Sequence, residues 1–204
     1  LVDYGALTKF AKAGVDLLMS DSTNAETPGV TPSESSVGPV LRDLIEKAEG
    51  RVIAASFASH VHRVQQICDA AVGAGRKVTF IGRSMITNSR IARELGYLTI
   101  ADGDIVEPER AAKMPPRKVL VMCTGSQGEP LSALARMANG DHNNVNIEPD
   151  DTVVIAATPV PGNERAVNRV INRLAKAGAT VAHRGSLHVH VSGHAAAEEL
   201  KLML

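Results

Sequence analysis

A chain of 204 residues can bury one large hydrophobic core, and its 44% hydrophobic and 22% charged residues are typical of a folded globular protein. Lysine plus arginine and aspartate plus glutamate both number 22, so the net charge is zero and excludes a global polycation for nucleic acid. Aromatic residues make up only 2%, which argues against exposed rings that stack on bases; any RNA or DNA contact would be a local site.

Short apolar runs alternate with amphipathic segments along most of the chain. The apolar runs predict strands at 15–20, 51–55, 77–81, 119–123, 152–157 and 180–183. The amphipathic segments predict helices at 33–49, 64–74, 85–95 and 131–137, and another that ends near 175. This alternation predicts an α/β fold, a doubly wound and mainly parallel sheet with helices on both faces and right-handed crossovers.

Polar loops rich in Ser, Thr and Gly follow five of the predicted strands. They are 21–24, 56–60, 82–84, 124–129 and 158–163. The carboxyl ends of parallel strands share one edge of a sheet, where ligands bind. Hydroxyl and backbone N–H groups donate hydrogen bonds to phosphate oxygens, so the five loops together predict a phosphorylated ligand.

The segment 187–194 holds three of the seven histidines. His188 and His190 alternate with valines, which predicts a strand with both imidazoles on one face. Residues 195–204 favour a helix, so we expect His194 at a strand-to-helix junction beside free backbone N–H groups. Three interpretations stay open: satisfied polar residues at a strand end, a zinc site with His-x-His spacing but no nearby carboxylate, or a site for phosphate or proton transfer.

Common catalytic motifs are missing from the sequence, which contains no GxGxxG, GxxxxGK[ST] or GxSxG. Cys68 and Cys123 lie in apolar segments and predict buried free thiols in a reducing compartment. With no signal peptide and no long apolar run, we expect a cytoplasmic protein without membrane contact. The chain starts without Met and stops within a predicted helix, so we expect an excised domain of a longer protein.

Several polar residues also have simpler explanations. Asp21 is expected to cap its own loop if it has no other role. His60 and His62 stand at a predicted helix start, where capping or solvation is expected. Arg63 and Arg83 are expected to be either surface charges or contacts to RNA phosphates.

Five segments resemble, together and in this order, the β-CASP region of bacterial ribonuclease J. They are 20–26 (SDSTNAE), 56–63 (SFASHVHR), 81–85 (IGRSM), 124–130 (TGSQGEP) and 190–194 (HVSGH). The resemblance runs over essentially the whole chain and implies that 1–204 is a single Rossmann-like β-CASP domain, inserted in a metallo-β-lactamase domain. It implies a zinc-dependent nuclease that cuts RNA from the 5′ end and internally, in RNA processing and decay.

The resemblance also implies roles for individual residues. Asp21 matches an acidic residue that hydrogen-bonds an active-site histidine, and His194 matches a histidine that donates a proton or stabilises the transition state. The substrate-phosphate loop would comprise His190, Val191, Ser192, Gly193 and His194. Ser126, Gln127 and Arg83 lie in family-like motifs at the same edge, and their contact with RNA is our own inference.

One departure from the family pattern limits what this chain does alone. The metal-binding His-x-His-x-Asp-His motif is absent, so we expect no metal ligand within this chain and both zinc ions on the lactamase domain. The chain is therefore expected to fold but to be catalytically inert. The implied partners are RNA, the protein's own lactamase domain, a second copy in a homo-oligomer and other RNA-decay proteins.

Two other functions compete with this hypothesis. The chain would be a stand-alone phosphate- or nucleotide-binding module without catalysis if no metal-binding motif lay upstream. A DNA-directed member of the same superfamily is the other alternative. The motifs at 81–85 and 126–129 favour the ribonuclease J branch over it.

Overall fold

Five strands form one parallel sheet in the computed structural model, which describes residues 3–203. The strands are β1 (Val52–Ala55), β2 (Lys77–Ile81), β3 (Val119–Cys123), β4 (Thr152–Ile155) and β5 (Thr180–His183). Their order across the sheet is β2-β3-β1-β4-β5, and every neighbouring pair is parallel. The bounds of β2, β3 and β5 are those predicted from the sequence.

Eight α-helices accompany the sheet within the described residues. They are α1 (Tyr4–Ala13), α2 (Gly38–Lys47), α3 (Val61–Gly73), α4 (Arg83–Glu94), α5 (Pro108–Ala111), α6 (Ala133–Asn139), α7 (Glu164–Lys176) and α8 (Ala197–Lys201). Three 3-10 turns lie at Glu34–Val37, Asp102–Asp104 and Pro116–Lys118. No helix within residues 3–203 has both the length and the apolar character needed to cross a bilayer.

The hydrophobic core lies on both faces of the sheet, because successive strand residues point to opposite sides. On one face, Val52, Ala54 and Met122 pack with buried residues of α2, α3 and α4. On the other, Ile53 and Val121 pack with buried residues of α6 and α7. This arrangement confirms the predicted doubly wound α/β fold with helices on both faces.

The described residues separate into two compact units. Residues 32–191 contain the sheet with α2 to α7, and residues 3–31 with 192–203 contain α1 and α8. The single domain predicted over 1–204 stays a prediction.

The strand predicted at 15–20 is wrong. These residues are irregular and open to solvent, with Val15 59%, Leu17 74% and Met19 87% exposed. A strand needs a neighbour for its backbone hydrogen bonds, and no other part of residues 3–203 pairs with this segment. The apolar run therefore reflects a local preference without a partner.

The strand predicted across His188 and His190 is also wrong, although its alternation of burial is present. Val189 and Val191 are buried in the core, whereas His188 is exposed and His190 is partly buried. The segment is irregular, and the Val189 N–H donates to the carbonyl of Leu187 instead of to a ladder. Packing of two valines gives the period-two pattern here without a paired strand.

Candidate functional site

Asp21 and His194 form a hydrogen-bonded pair although 173 positions separate them. Asp21 Oδ2 lies 2.5 Å from His194 Nδ1, and Thr23 donates its backbone N–H and its hydroxyl to Asp21 Oδ1 at 3.0 and 2.7 Å. The hydrogen bond from His194 and those from Thr23 hold the pKa of Asp21 far below its usual range. The ionised carboxylate accepts the Nδ1 proton, so Nε2 is the ring nitrogen left for other chemistry.

Asp21 therefore satisfies two expectations at once. One oxygen caps its own loop through Thr23, and the other binds the ring of His194. Both side chains are about half exposed, at 54% for Asp21 and 51% for His194. The pair is open to a ligand from solution.

Polar contacts fix the loop that carries His194. Ser192 Oγ accepts from the His194 N–H at 3.1 Å and from Asn24 Nδ2 at 2.8 Å. The carbonyl of His194 accepts from Asn24 Nδ2 at 3.1 Å and from the Thr31 hydroxyl at 2.8 Å. Gly193 is exposed between them. These bonds hold the backbone of the loop and leave the His194 ring to Asp21.

The N–H groups at the start of the helix behind His194 are not free as expected. The N–H of the cap residue Ala196 donates to the Glu199 carboxylate at 2.8 Å, and that of Ala197 donates to the carbonyl of Thr27 at 2.9 Å. Glu198 donates its N–H to the carbonyl of Gly29 at 3.1 Å. For these three groups the expectation was wrong, because the chain satisfies its own helix start.

A second polar cluster surrounds Arg63, which was expected at the surface but is fully buried. Its guanidinium binds both carboxylate oxygens of Glu34. It also donates to the carbonyl of Ala156 and to His190 Nδ1, both at 2.9 Å. The expectation of a surface charge was wrong, because a carboxylate and buried carbonyls replace the water that would solvate the cation.

Arg63 determines which nitrogen of the His190 ring carries the proton. A guanidinium only donates, so His190 Nδ1 accepts, and Nε2 carries the proton of the neutral ring. Burial, followed by the charges of Arg63 and Arg184, lowers the pKa of His190 to about 4. His190 is therefore a neutral N–H donor at neutral pH.

The zinc interpretation of the His-x-His pair does not fit the structure. His190 Nδ1 faces a cation, and His188 Nε2 lies 3.1 Å from the hydroxyl of Ser36. Across residues 3–203, no three His, Cys, Asp or Glu side chains are grouped so that they would hold a metal ion. The residues that the structure describes do not fit a zinc centre.

Four of the five loops predicted at the ligand edge of the sheet lie there, and one does not. Four of them follow β1 to β4, so they share the carboxyl edge of the sheet, whereas 21–24 follows no strand. Arg83 is exposed at the first turn of α4 on this edge. Ser126 and Val191 are both buried.

Gln127 joins two of these loops. Its amide Nε2 donates to the carbonyl of Thr158 at 2.9 Å, and its Oε1 accepts from the Val160 N–H at 2.7 Å. Gly128 allows the close approach, since its φ is 71° and a Cβ there would lie 2.5 Å from the backbone of Ala166. The side chain of Gln127 is thus committed to loop structure.

Sequence reasoning missed Glu34, Asn24 and Thr31, which hold the two histidine segments through contacts distant in sequence. The burial of Arg63 had a detectable signal, since it shares a helix face with the buried Val64 and Ile67. His60 was expected to cap a helix and does so, accepting the Arg63 N–H on Nδ1 at 3.3 Å.

Fold and core place the chain in the doubly wound α/β class. The family model described as "Ribonuclease J, beta-CASP domain" matches residues 49–174, more than half of the chain, and the chain belongs to this family. It is 53% identical to Ribonuclease J of Mycolicibacterium smegmatis over 198 residues, which cover 97% of this chain and 36% of that protein.

Two further relatives show the same proportions. Ribonuclease J of Thermus thermophilus is 50% identical over 201 residues, covering 97% of this chain and 35% of that protein. Ribonuclease J of Helicobacter pylori (strain J99) is 47% identical over 202 residues, covering 99% of this chain and 29% of that protein. The chain therefore spans about a third of the length of the curated relatives it matches.

Proposed function

We propose that the chain is the β-CASP, RNA-positioning part of a longer zinc-dependent ribonuclease that cuts RNA as a 5′-to-3′ exonuclease and internally. The observation that carries the proposal is the Asp21–His194 pair, an oriented and exposed acid–base group. Supporting it, the relatives are named Ribonuclease J and are about three times as long as this chain.

In this proposal His194 moves a proton at the scissile phosphate. Asp21 fixes the Nδ1–H form of the ring, so Nε2 accepts a proton when neutral and donates one when charged. His190 has the complementary task, since its Nε2–H donates a fixed hydrogen bond to a phosphate oxygen. Ser192 and Gly193 shape the phosphate loop, in which the side chain of Ser192 holds the backbone.

The remaining site residues receive revised roles. Arg83, exposed at the sheet edge, is proposed to contact an RNA phosphate directly. The buried Ser126, Gln127 and Val191 are proposed to position the loops around the RNA, because their side chains lie inside the protein. In this proposal Arg83 contacts RNA directly, and the three buried residues support the loops.

In this proposal the zinc ions lie on a metallo-β-lactamase domain outside this chain, as the resemblance implies; within residues 3–203 no three His, Cys, Asp or Glu side chains are grouped to hold a metal ion. Acid–base catalysis alone typically supplies only ~10²–10⁴-fold, so the isolated chain is proposed to be inert. The exposed apolar side chains of Phe10, Leu17 and Met19 support a further domain that covers them. Homo-oligomers and contacts with other RNA-decay proteins belong to the same proposal.

A cytoplasmic location also forms part of the proposal. Cys68 and Cys123 are free and buried, as expected in a reducing compartment. Burial raises the pKa of both thiols to about 12, so neither is a reactive thiolate.

The test uses a 5′-monophosphorylated RNA and two proteins, the full-length enzyme and the 204-residue chain. In the full-length enzyme, His194→Asn keeps an amide N–H near the position of Nδ1 for Asp21 but removes Nε2. We expect kcat to fall by ~10²–10⁴-fold with little change in RNA affinity.

The matched control is His62→Asn, which changes an exposed histidine at the start of α3. It should leave kcat unchanged. Cleavage by the 204-residue chain alone, or full activity of His194→Asn, would contradict the proposal.

A further inference from the structure

Four cations line the outer face of α7, and we refer to them as the α7 basic face: Arg165, Arg169, Arg173 and Lys176. At about 100° per residue they fall within an arc of about 80°. All four side chains are exposed, and the buried residues of α7 lie on the opposite side of the helix. The helix is therefore amphipathic, and four of the polar residues on its exposed side are cations.

Within residues 3–203 these four cations have no carboxylate partner, a property that they share with other exposed cations such as Arg42 and Lys113. They are distinguished by their grouping on one face of one helix. Elsewhere, Lys47 pairs with Asp43 at 2.7 Å, and Arg90 pairs with Glu94 at 2.9 Å. Over residues 3–203, no ion pair includes a member of the α7 basic face; Arg173 instead binds the amide oxygen of Asn139. In a chain of zero net charge, this leaves a local excess of positive charge.

The spacing of the α7 basic face suits a regularly charged strand. Successive arginines are four residues apart, or about 6 Å along the axis, and the whole face is about 16 Å long. That step is comparable with the distance between successive phosphates of an extended nucleic acid. Asn168 and Asn172 are exposed beside the arginines and add amide donors.

The composition of α7 favours contact with the backbone over contact with bases. The helix contains no Phe, Tyr or Trp on which a base would stack. Arg is the side chain best matched to phosphate, because its guanidinium donates two parallel hydrogen bonds. A sequence-independent contact follows from this chemistry.

The position of α7 connects the basic face with the ligand edge of the sheet. The helix starts directly after the loop 158–163, which Gln127 holds at the carboxyl edge. Arg165 is the second residue of the helix, and Lys176 is the last. The face thus runs from the carboxyl edge of the sheet toward the opposite edge.

We propose that the α7 basic face binds the phosphate backbone of single-stranded RNA as a track separate from the residues that act at the cleaved bond. This inference rests on the proposed function for its choice of RNA. An acidic protein surface is the alternative ligand for the α7 basic face. The even spacing along one straight helix face favours a strand of repeating phosphates.

The test measures binding of a fluorescently labelled 20-nucleotide oligouridine to the 204-residue chain between 50 and 200 mM salt. Each phosphate contact with a single strand contributes about 0.7 to the slope of log affinity against log salt. Arg165→Gln/Arg169→Gln/Arg173→Gln/Lys176→Gln should therefore reduce the slope by up to about 3. Over this salt range, the affinity of the unsubstituted chain should fall up to about 50-fold more than that of the variant.

A control variant removes the same charge from paired cations: Lys47→Gln/Arg90→Gln/Arg93→Gln/Lys201→Gln. It should keep the slope of the unsubstituted chain. Glutamine is a good helix former, so both variants should keep the far-ultraviolet circular dichroism spectrum of the unsubstituted chain.

Three results would overturn the inference. They are an unchanged slope in the α7 variant, an equal loss in the control, and equally tight binding of polyglutamate of matched charge, which would assign the face to an acidic protein. The proposed nuclease function has its own test in the kcat of His194→Asn. If His194→Asn keeps full kcat while the salt slope still depends on α7, the RNA contact at α7 is supported and the catalytic proposal is wrong. If kcat falls as expected while the salt slope does not depend on α7, the catalytic proposal is supported and the RNA contact at α7 is wrong.

Discussion

Two histidines four positions apart in the sequence have opposite electrostatic surroundings. His194 is half exposed and its Nδ1 faces the carboxylate of Asp21. His190 is partly buried and its Nδ1 faces the guanidinium of Arg63. The carboxylate requires a proton on Nδ1 of the first ring, and the guanidinium excludes one from Nδ1 of the second.

The difference supports giving the two rings different tasks in the proposed function. Nε2 of His194 is free to accept or donate a proton, as the proposed acid–base role requires. The neutral ring of His190 keeps its Nε2 proton, as the proposed contact with a phosphate oxygen requires. The two proposed tasks therefore follow from the group that faces Nδ1, which the sequence motif alone does not indicate.

The largest expected effect on stability comes from Arg63. Arg63→Met removes the guanidinium from Glu34 and removes a donor from the carbonyl of Ala156 and from His190 Nδ1. Because a partly buried carboxylate loses its charge partner and two further acceptors lose a hydrogen bond, we expect the free energy of unfolding in urea to fall by about 3 kcal/mol.

Two related variants sharpen this prediction. Arg63→Lys keeps the charge but cannot bind both oxygens of Glu34, so its loss should be smaller. Glu34→Gln/Arg63→Met should lose less than the sum of the single changes, since the two side chains interact. Additive losses would show that the pair is not coupled.

A smaller effect is expected on acidification. The unfolded chain protonates His190 near its usual pKa of 6.5, whereas the folded chain does so near 4, so stability falls as the pH drops through this window. The loss attributable to His190 is at most about 3 kcal/mol. The charged groups around the ring are Arg63, Arg184 and Glu34, with His60 also nearby.

His190→Asn provides the matched control, because its amide oxygen can still accept from Arg63 but does not titrate. The variant should lose part of the acid dependence that urea unfolding shows between pH 6.5 and 4. Burial also lowers the pKa of His60, so some dependence of the same sign should remain. An acid profile identical to that of the unsubstituted chain would exclude the assigned state of His190.

The smallest effect on the free energy of unfolding is expected from a substitution in the exposed Asp21–His194 pair. Asp21→Asn removes the charge beside His194, but both side chains are about half in water. We expect no measurable shift in the urea midpoint, together with a lower kcat in the full-length enzyme. A large loss of stability would mean that the pair is structural and would weaken its catalytic assignment.

Much of the fold was predictable because the sheet is buried on both faces. The strand at 119–123 reads as an unbroken apolar run, and all five of its residues are buried. Residues 15–20 are also largely apolar, although Asp16 interrupts the run, and within residues 3–203 they have no partner strand. Pairing, which the local sequence does not encode, decides which of the two runs forms a strand.

The site was predictable only in part. The pair Asp21 and His194 followed from a resemblance, and the structure brings the two side chains together. The contacts of Glu34 with Arg63 and of Asn24 with Ser192 join residues 29 and 168 positions apart, so no local pattern indicates them. The burial of Arg63 shows that a basic residue in a family-like motif is not necessarily a surface ligand.

Nitrogen-15 NMR of the two imidazoles at neutral pH tests the central claim most directly. The account predicts a proton on Nε2 and none on Nδ1 of His190, and a proton on Nδ1 of His194. Loss of the Nδ1 proton signal of His194 in Asp21→Asn, with His190 unchanged, would support it further. A proton on Nδ1 of His190, or its absence from Nδ1 of His194, would contradict the assignment of the two tasks.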